Sequence, residues 1–312
     1  MALEDSTRGQ AESAQELDAS LAAQDLAYRR WFPPGVGETP AGRLRIEAPA
    51  LEAFAREAAR TVDPHDQVNP FKPLPLDELP YLRIFFRLAL AERKVAVPKS
   101  RQIMATWATY VFILWRLMRW PNQLWALVPQ KLDDGQQHVE DRIKQGLWEN
   151  LPRWLTNQYS LGAIKGHFHI THWRGNAWNS AMLVYPQGAD QLRSKTHSGI
   201  LWDEAAHQPL MQEAWKGAMP TIGGRKTHRG QIILLSSAAK GTYFESLCGP
   251  KLKSAVSVAR RQRDAPPGIE QPCYGTALYR TEAGIVVFVV HYSAARAKRD
   301  PEWALEERKA YP

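Results

Sequence analysis

The sequence predicts an α/β fold in which helices cover both faces of a mostly parallel β-sheet, preceded by a helical N-terminal extension. Short apolar runs bounded by chain-breaking residues recur along the middle of the chain, as expected for strands that are buried on both faces. Segments with helical character lie between these runs, and strands that alternate with helices form parallel sheets. Two of the runs, at 93–98 and 199–204, stop abruptly at polar residues. We therefore expect these strands to place functional side chains at one edge of the sheet.

The composition is typical of a folded protein that acts inside a cell. The chain has 312 residues, of which 44% are hydrophobic, and this is enough to bury a substantial core. The net charge of +8 modestly favours a polyanionic partner, because the lysines and arginines are spread along the chain. Only Cys248 and Cys273 are present, so we expect no disulfide framework and a structural role for both. No apolar run reaches the roughly 20 residues of a membrane span, and the acidic start does not resemble a secretion signal.

The N-terminal region has a different character from the rest of the chain. Residues 1–32 are rich in Ala, Gln and Glu and predict one or two helices, whereas Pro and Gly in 33–48 predict a linker. A further helix is expected near 50–60, and prolines interrupt the stretch that follows. We therefore assign 1–65 to a helical extension and linker.

The central region carries the predicted sheet. Strands are expected at 93–98, 124–129, 181–186, 199–204 and 231–236. The intervening helices are expected at 105–119, 131–150 and 209–219. No internal repeat or low-complexity tract is found in the sequence.

The segment KSRQIMATW at 99–107 resembles a phosphate-binding turn that opens a helix. In the common pattern G-x-x-x-x-G-K-[ST], glycines let backbone N–H groups surround the phosphates, and the last hydroxyl binds Mg²⁺. With Thr106 in the last position, Lys99 takes the first and Met104 and Ala105 replace the Gly-Lys pair. Lys99 and Arg101 can supply the missing charge, and the helix N-terminus favours an anion. The alternative is a surface turn with two solvated cations.

The segment GILWDEAAH places Asp203 and Glu204 at the end of an apolar strand. In a nucleotide-hydrolysing site, the first carboxylate holds Mg²⁺ and the second polarises the attacking water. The alternative is an ordinary strand that runs into a helix N-terminus. A third strand ends at Ser236 and Ser237, whose hydroxyls can sense a γ-phosphate and signal to a moving segment, although alone this is an ordinary strand end.

Taken in order, these segments resemble the ATPase half of the large terminase subunit, the DNA-packaging motor of tailed bacteriophages and their prophages. The matching motifs are VPKSRQIMATW, LWDEAA and LLSSAAKGTYFES, followed by VVFVVHYSA and RDPEWALEERKAYP. The resemblance covers roughly 66–312 and implies a P-loop NTPase fold of the RecA/ASCE type, with an extra strand between the phosphate turn and the acidic strand. It implies an ATPase domain at 66–295 and the start of a linker at 296–312.

The resemblance also implies roles for individual residues, with ATP and Mg²⁺ as cofactors. The implied nucleotide contacts are Lys99, Ser100, Arg101, Gln102 and Tyr81, with Phe71 and Phe85 as further candidates for stacking on the adenine. Thr106 and Asp203 are the implied Mg²⁺ ligands. Glu204 is the implied catalytic carboxylate and Arg101 the implied stabiliser of transition-state charge. Ser236 and Ser237 are the implied coupling hydroxyls, and Arg193 is a possible sensor of phosphate or DNA.

The implied partners are double-stranded DNA, the portal protein, the small terminase subunit and further copies of the chain in a ring, with no membrane. The implied location is the cytoplasm of a bacterial host, transiently at the procapsid portal. Complete large terminases carry an RNase H-like nuclease domain, which residues up to Pro312 do not contain, so we expect no nuclease activity from them. A fragment, a split gene and a decayed prophage remnant are all compatible with this end.

Two other functions compete with the motor. A helicase would need a second RecA-like domain with an arginine finger, which the sequence after residue 245 does not provide. A catalytically inactive DNA-binding or assembly subunit is favoured by Met104 and Ala105. Metal binding by His167, His169 and His172 is a minor alternative, and the RRQRD run at 260–264 is expected to be solvated or to contact DNA phosphates.

Overall fold

The computed structural model describes residues 2–35, 39–63, 66–162, 164–172, 179–222, 230–237, 239–261, 264–300 and 302–303. Its strands are β1 (Thr61–Val62), β2 (Phe71–Lys72), β3 (Lys94–Pro98), β4 (Leu124–Val128), β5 (Tyr159–Leu161), β6 (Phe168–His172), β7 (Asn179–Val184), β8 (Gly199–Asp203), β9 (Gln231–Ser236), β10 (Thr276–Arg280) and β11 (Val286–Val290). Its α-helices are α1 (Ala2–Trp31), α2 (Pro40–Glu57), α3 (Pro80–Ala91), α4 (Ala105–Arg119), α5 (Leu132–His138), α6 (Arg153–Thr156), α7 (Ala189–Arg193), α8 (Met211–Ile222), α9 (Tyr243–Cys248) and α10 (Leu252–Arg261). A π-helix, Val139–Leu147, continues α5.

Nine of the strands form one sheet in the order β10-β11-β3-β9-β8-β4-β7-β6-β5. The six strands from β11 to β7 are parallel, whereas β10, β6 and β5 are antiparallel additions at the edges. The predicted mostly parallel sheet is therefore confirmed, and each of the five predicted strands overlaps an observed one. The strand between the phosphate turn and the acidic strand is β9, as the resemblance implied.

The central strands are buried on both faces because helices cover the sheet on each side. Val95 and Val97 of β3 face the cluster formed with α2, α3 and α4. Ala96, which lies between them, faces the cluster formed with α8, α9 and α10. This alternation follows from the two-residue period of a strand, and it explains why these segments are apolar throughout.

The predicted linker at 33–48 is wrong in its second half, because α2 begins at Pro40. The Thr39 side chain caps this helix, with Oγ1 accepting a hydrogen bond of 3.0 Å from the Gly42 N–H. Proline is well tolerated at the first helical position, where its missing N–H would have no partner in any case. Pro and Gly in this region therefore mark the start of a helix as well as a loop.

The N-terminal helices share the core of the main sheet. The indole N–H of Trp115 in α4 donates a hydrogen bond of 2.8 Å to the Trp31 carbonyl oxygen, and Trp31 and Phe54 are buried in the same cluster as α4. Packing therefore continues across the predicted boundary at residue 65. None of the helices described is both long and apolar enough to cross a membrane.

Candidate active site

Three strands of the parallel sheet bring the predicted site residues to one edge. Pro98 at the end of β3 pairs with Ser236 of β9, and Leu235 of β9 pairs with Asp203 of β8. The phosphate turn, the serines and the acidic pair therefore leave adjacent strands side by side. This carboxyl edge is where ligands bind in open α/β sheets.

The phosphate turn is fastened to the strands on both sides of β3. The Lys99 N–H donates to the Ser236 carbonyl oxygen at 2.8 Å, and the Ser100 N–H donates to the Val290 carbonyl oxygen at 2.9 Å. The Ser100 hydroxyl oxygen also accepts a hydrogen bond of 3.0 Å from the Tyr292 N–H. The turn therefore has a defined position relative to β9 and β11.

The backbone of this turn is left-handed at two residues that are not glycine. Gln102 has φ 54° and Met104 has φ 59°, and Met104 occupies the position that glycine takes in the common phosphate-loop pattern. A left-handed L-residue costs about 1–2 kcal/mol. The Gln102 carbonyl oxygen accepts a hydrogen bond of 2.8 Å from Lys298 Nζ, and the Ile103 carbonyl oxygen accepts one of 3.0 Å from the Tyr81 hydroxyl. These contacts support the strained conformation.

The burial of two aromatic residues contradicts their predicted adenine-stacking role. Tyr81 is 1% exposed and Phe85 is 2% exposed, so neither ring offers a face to a base. Both lie on the buried side of α3, whose apolar face packs into the core. The Tyr81 hydroxyl instead holds the phosphate turn through its hydrogen bond to the Ile103 carbonyl oxygen. Burial raises the pKa of the Tyr81 phenol. Phe71, in β2, is exposed.

Asp203 is a buried carboxylate at the end of β8, with 5% of its surface exposed. Its Oδ1 accepts a hydrogen bond of 3.2 Å from the Glu204 N–H, and its Oδ2 lies 3.8 Å from His138 Nδ1. Burial raises the pKa of Asp203 to about 6, against the opposing positive charge of Lys99. A cation bound here would favour the ionised form.

Lys99 and Glu204 form an ion pair across β9, with 3.2 Å between Nζ and Oε1. The Lys99 side chain is only 9% exposed, whereas that of Glu204 is 38% exposed. Glu204 also has a left-handed backbone with φ 52°, which turns the chain sharply after Asp203. The structure thus brings together the first residue of the phosphate turn and the second residue of the acidic pair.

A cavity of about 290 Å³ opens beside the acidic pair. Its lining includes His138 and Arg142, from the helical segment that follows β4. Burial and the positive charge of Arg142 lower the pKa of His138 to about 4, so its ring is neutral at pH 7. Arg142 lies in the π-helix, a rare helix type that recurs at functional sites.

Sequence reasoning missed both His138 and Arg142. No motif distinguishes them, but topology could have found them. Because β4 is parallel to β8 and adjacent to it, the helix that follows β4 must start at the same edge as the acidic pair.

The start of α4 follows the phosphate turn, so Thr106 lies at the same edge of the sheet as Asp203, and two side chains of α4 contact residues that line the cavity. The Arg142 guanidinium lies 5.9 Å from the centre of the Trp107 ring, and the Tyr110 hydroxyl lies 3.2 Å from His138 Nδ1. Thr106 and Asp203 offer oxygen ligands of the kind that Mg²⁺ takes. Among the residues described, no three or more His, Cys, Asp or Glu side chains could hold a metal ion together. A Mg²⁺ ion would therefore rely on phosphate and water for its other ligands, as is usual at nucleotide sites.

Ser236 and Ser237 contact the turn that follows the acidic pair. The Ser236 hydroxyl oxygen, which is buried, accepts a hydrogen bond of 3.0 Å from the Ala206 N–H. The Ser237 hydroxyl lies 2.8 Å from His207 Nε2. The end of β9 is thus connected directly to the segment after Glu204.

The remaining predicted residues do not line the cavity. Arg101 is exposed on the phosphate turn. Arg193 ends α7, where it forms an exposed ion pair of 3.1 Å with Asp190, and it does not line the cavity. Of the three histidines weighed for metal binding, His167 Nδ1 accepts a hydrogen bond of 3.1 Å from the Val184 N–H, and the His172 ring packs edge-on against Tyr159.

No protein-family model matches the sequence, and no curated protein matches it. Similar solved structures do exist. The large terminase ATPase domain of Thermus phage P74-26 has a TM-score of 0.51 at 17% identity, covering 76% of this chain and 92% of that domain. The HK97 bacteriophage large terminase has a TM-score of 0.52 at 13% identity, covering 84% of this chain and 51% of that protein.

The large terminase of a thermophilic bacteriophage, solved in complex with ADP, has a TM-score of 0.46 at 10% identity and is matched over 71% of this chain. This chain spans 45% of that terminase, so it corresponds to about half the length of the intact proteins it matches. The resemblance indicated by the sequence motifs is confirmed at the level of the fold. This chain has the P-loop NTPase fold of phage large terminase ATPase domains.

Proposed function

We propose that this chain is the ATP-hydrolysing motor domain of a phage or prophage large terminase, which drives double-stranded DNA into procapsids. One observation carries the proposal: Lys99 of the phosphate turn and Glu204 of the acidic pair form an ion pair at the carboxyl edge of a P-loop NTPase sheet. The positive N-terminus of α4 lies at the same edge, where it favours the triphosphate.

Each residue has a defined role in the proposed hydrolysis. Thr106 and Asp203 hold Mg²⁺, which neutralises phosphate charge when it is bound. Lys99 leaves Glu204 to contact the phosphates, and the released Glu204 carboxylate accepts a proton from the attacking water. Arg101 stabilises the charge that develops on the transferred phosphoryl group. Ser100 and Gln102 complete the phosphate turn.

The coupling proposal rests on the contacts of the two serines. Loss of the γ-phosphate changes the position of Glu204, and the hydrogen bonds that join Ala206 to Ser236 and His207 to Ser237 pass this change to the end of β9. The chain then continues into α9, which packs against the turn Ala205–His207. A change at the acidic pair therefore reaches the segment 239–248 by two routes. One runs through the two serines, and the other through the contact between the turn Ala205–His207 and α9.

The wider context follows from the same proposal. The domain works in the cytoplasm of a bacterial host, where it assembles as a ring at the procapsid portal with the portal protein and the small terminase subunit. Arg193, which is exposed in α7, is a candidate for sensing phosphate or DNA at a subunit boundary.

A competing function is that of an inactive DNA-binding or assembly subunit, which the Met104-Ala105 pair in the Gly-Lys slots favours. ATP turnover with and without duplex DNA separates the two, measured by phosphate release on the full chain and on Glu204→Gln. The motor predicts turnover that DNA stimulates and that Glu204→Gln reduces by about 100-fold or more, within the range for loss of a general base. Equal background rates for both proteins would favour the inactive subunit.

A further inference from the structure

Helix α10 presents a basic face to solvent. Its apolar side, formed by Leu252, Ala255, Val258 and Ala259, is buried in the cluster that contains β10 and β11. The outer side carries exposed Lys253, Arg260 and Arg261, and Lys251 is exposed just before the helix begins. These four residues form the α10 basic face. In the sequence, no acidic residue interrupts the stretch between Lys251 and Arg263.

The charge of the α10 basic face is not neutralised by neighbouring carboxylates. Among the residues that the structure describes, none of the four forms an ion pair with Asp or Glu. Three other exposed arginines are paired: Arg29 with Asp25, Arg193 with Asp190 and Arg280 with Glu92. The positive charge of α10 is therefore available to an external polyanion.

The spacing of the α10 basic face suits a nucleic acid backbone. Lys253 and Arg260 are seven residues apart, so they lie on one side of the helix, about 10 Å apart along its axis. Along one DNA strand, about 10 Å corresponds to roughly three phosphates at about 3.4 Å per nucleotide. Ser257 lies between them on the same side and is partly exposed, so its hydroxyl can donate to a phosphate oxygen.

Helix α10 is also linked to two segments that adjoin the candidate site, the 239–248 segment and β11. It follows α9 after only three residues, and the Tyr279 hydroxyl fixes the junction by donating a hydrogen bond of 2.8 Å to the Cys248 carbonyl oxygen. At the other end, Arg260 lies near His291, whose pKa is lowered to about 4 by burial and then by this positive charge. His291 directly follows β11, to which the phosphate turn is bonded through Val290 and Tyr292.

We propose that the α10 basic face is the surface through which this domain grips the phosphate backbone of double-stranded DNA. Its contacts are with phosphates and are therefore independent of base sequence. Because α10 is joined to the 239–248 segment at one end and packs against β11, which is hydrogen-bonded to the phosphate turn, nucleotide-dependent shifts at the site reach the bound DNA. This inference rests on the proposed function, because it takes duplex DNA as the polymer that the domain moves.

The test compares two triple variants of the full chain that lose the same charge. One is Lys253→Gln, Arg260→Gln and Arg261→Gln, and the control is Arg153→Gln, Lys165→Gln and Lys216→Gln, whose side chains are exposed elsewhere. Binding to a duplex of about 30 base pairs and arbitrary sequence is measured by fluorescence anisotropy between about 50 and 200 mM salt. We expect the α10 variant to bind at least about tenfold more weakly, with a salt slope about 2–3 smaller in magnitude. Equal weakening by both triples, or no weakening by the α10 triple, would overturn the proposal.

ATP turnover distinguishes failure of this inference from failure of the motor. The α10 triple is expected to keep the basal ATP turnover of the wild-type chain while losing its stimulation by DNA. Wild-type affinity of the α10 triple, with stimulation intact, overturns the α10 proposal alone. Failure of the wild-type chain to bind duplex DNA or hydrolyse ATP overturns the motor as well. Thermal unfolding monitored by circular dichroism verifies that both triples are folded, and Lys253→Arg should retain wild-type affinity because it keeps the charge.

Discussion

At the residue scale, the phosphate turn keeps a left-handed backbone without glycine. Gln102 is exposed and has φ 54°, so its side chain contributes little packing, while its backbone carries a steric cost. Gln102→Gly should therefore raise the free energy of unfolding by about 0.5–1 kcal/mol, the steric relief exceeding the entropy that glycine adds to the unfolded chain. Urea denaturation measures this change.

Asn122 supplies a matched control for the Gln102 prediction. It is also exposed, with φ 57°, but asparagine tolerates the left-handed region better than glutamine does. Asn122→Gly should stabilise the chain less than Gln102→Gly. The strain argument fails if Gln102→Gly lowers the free energy of unfolding, or if it gains no more than Asn122→Gly.

His197 makes stability depend on pH at a position outside the candidate active site. It is buried, and its Nε2 lies 3.3 Å from the Tyr185 hydroxyl. Burial lowers the pKa of His197 from 6.5 to about 4, so the unfolded chain takes up this proton first as the pH falls. The wild-type chain should therefore lose about 2 kcal/mol of stability between about pH 7.5 and pH 4.5 through this group.

His197→Gln removes the titrating group and should flatten this part of the pH profile, as measured by urea unfolding at the two pH values. The control is His207→Gln, which makes the same substitution at an exposed histidine. A wild-type slope in the His197→Gln variant would contradict the assignment. Such a slope would have to come from other groups.

At the element scale, the connection between β9 and the turn after Glu204 depends on one buried hydroxyl. Ser236→Ala removes the acceptor of the Ala206 N–H, and an unpaired buried N–H costs about 1–3 kcal/mol. Ser237→Ala, at a half-buried position whose partner His207 is exposed, should cost no more than about 0.5 kcal/mol. Thermal unfolding compares the two variants. Equal destabilisation would mean that the buried contact does not hold this turn.

The sequence predicts best those helices and strands whose residues show a single clear pattern of apolar residues and breakers. Helix α4 occupies the predicted residues because an apolar 15-residue segment lies between a strand and a breaker. The sequence prediction starts α2 too late, because Pro and Gly usually signal a loop, whereas Thr39 caps a helix here. The predicted helix at 131–150 is present, but much of it is π-helical, a distinction that apolar periodicity does not carry. The edge strand β5 has only three residues, and the edge strand β10 lacks the continuous apolar run of the central strands.

At the scale of the whole molecule, sheet topology explains why the site was partly predictable. Parallel strands share one carboxyl edge, so the polar residues that follow β3, β8 and β9 had to lie near one another. The Lys99–Glu204 ion pair depends on a side chain reaching across β9, which no sequence pattern encodes. The burial of Tyr81 depends likewise on the packing of α3 against the core. Roles in nucleotide and Mg²⁺ binding stay predictions.

The left-handed residues of the phosphate turn bear on how other chains with this fold are recognised. Glycine is common in such loops because it adopts this geometry at no steric cost, yet here Gln102 and Met104 adopt it within hydrogen bonds from Lys298 and Tyr81. Divergent chains with this fold can therefore lose the consensus glycines while retaining the dihedral angles. For them, two left-handed positions separated by one residue, between a buried strand and an apolar helix, form a more durable fingerprint than any string of amino acids.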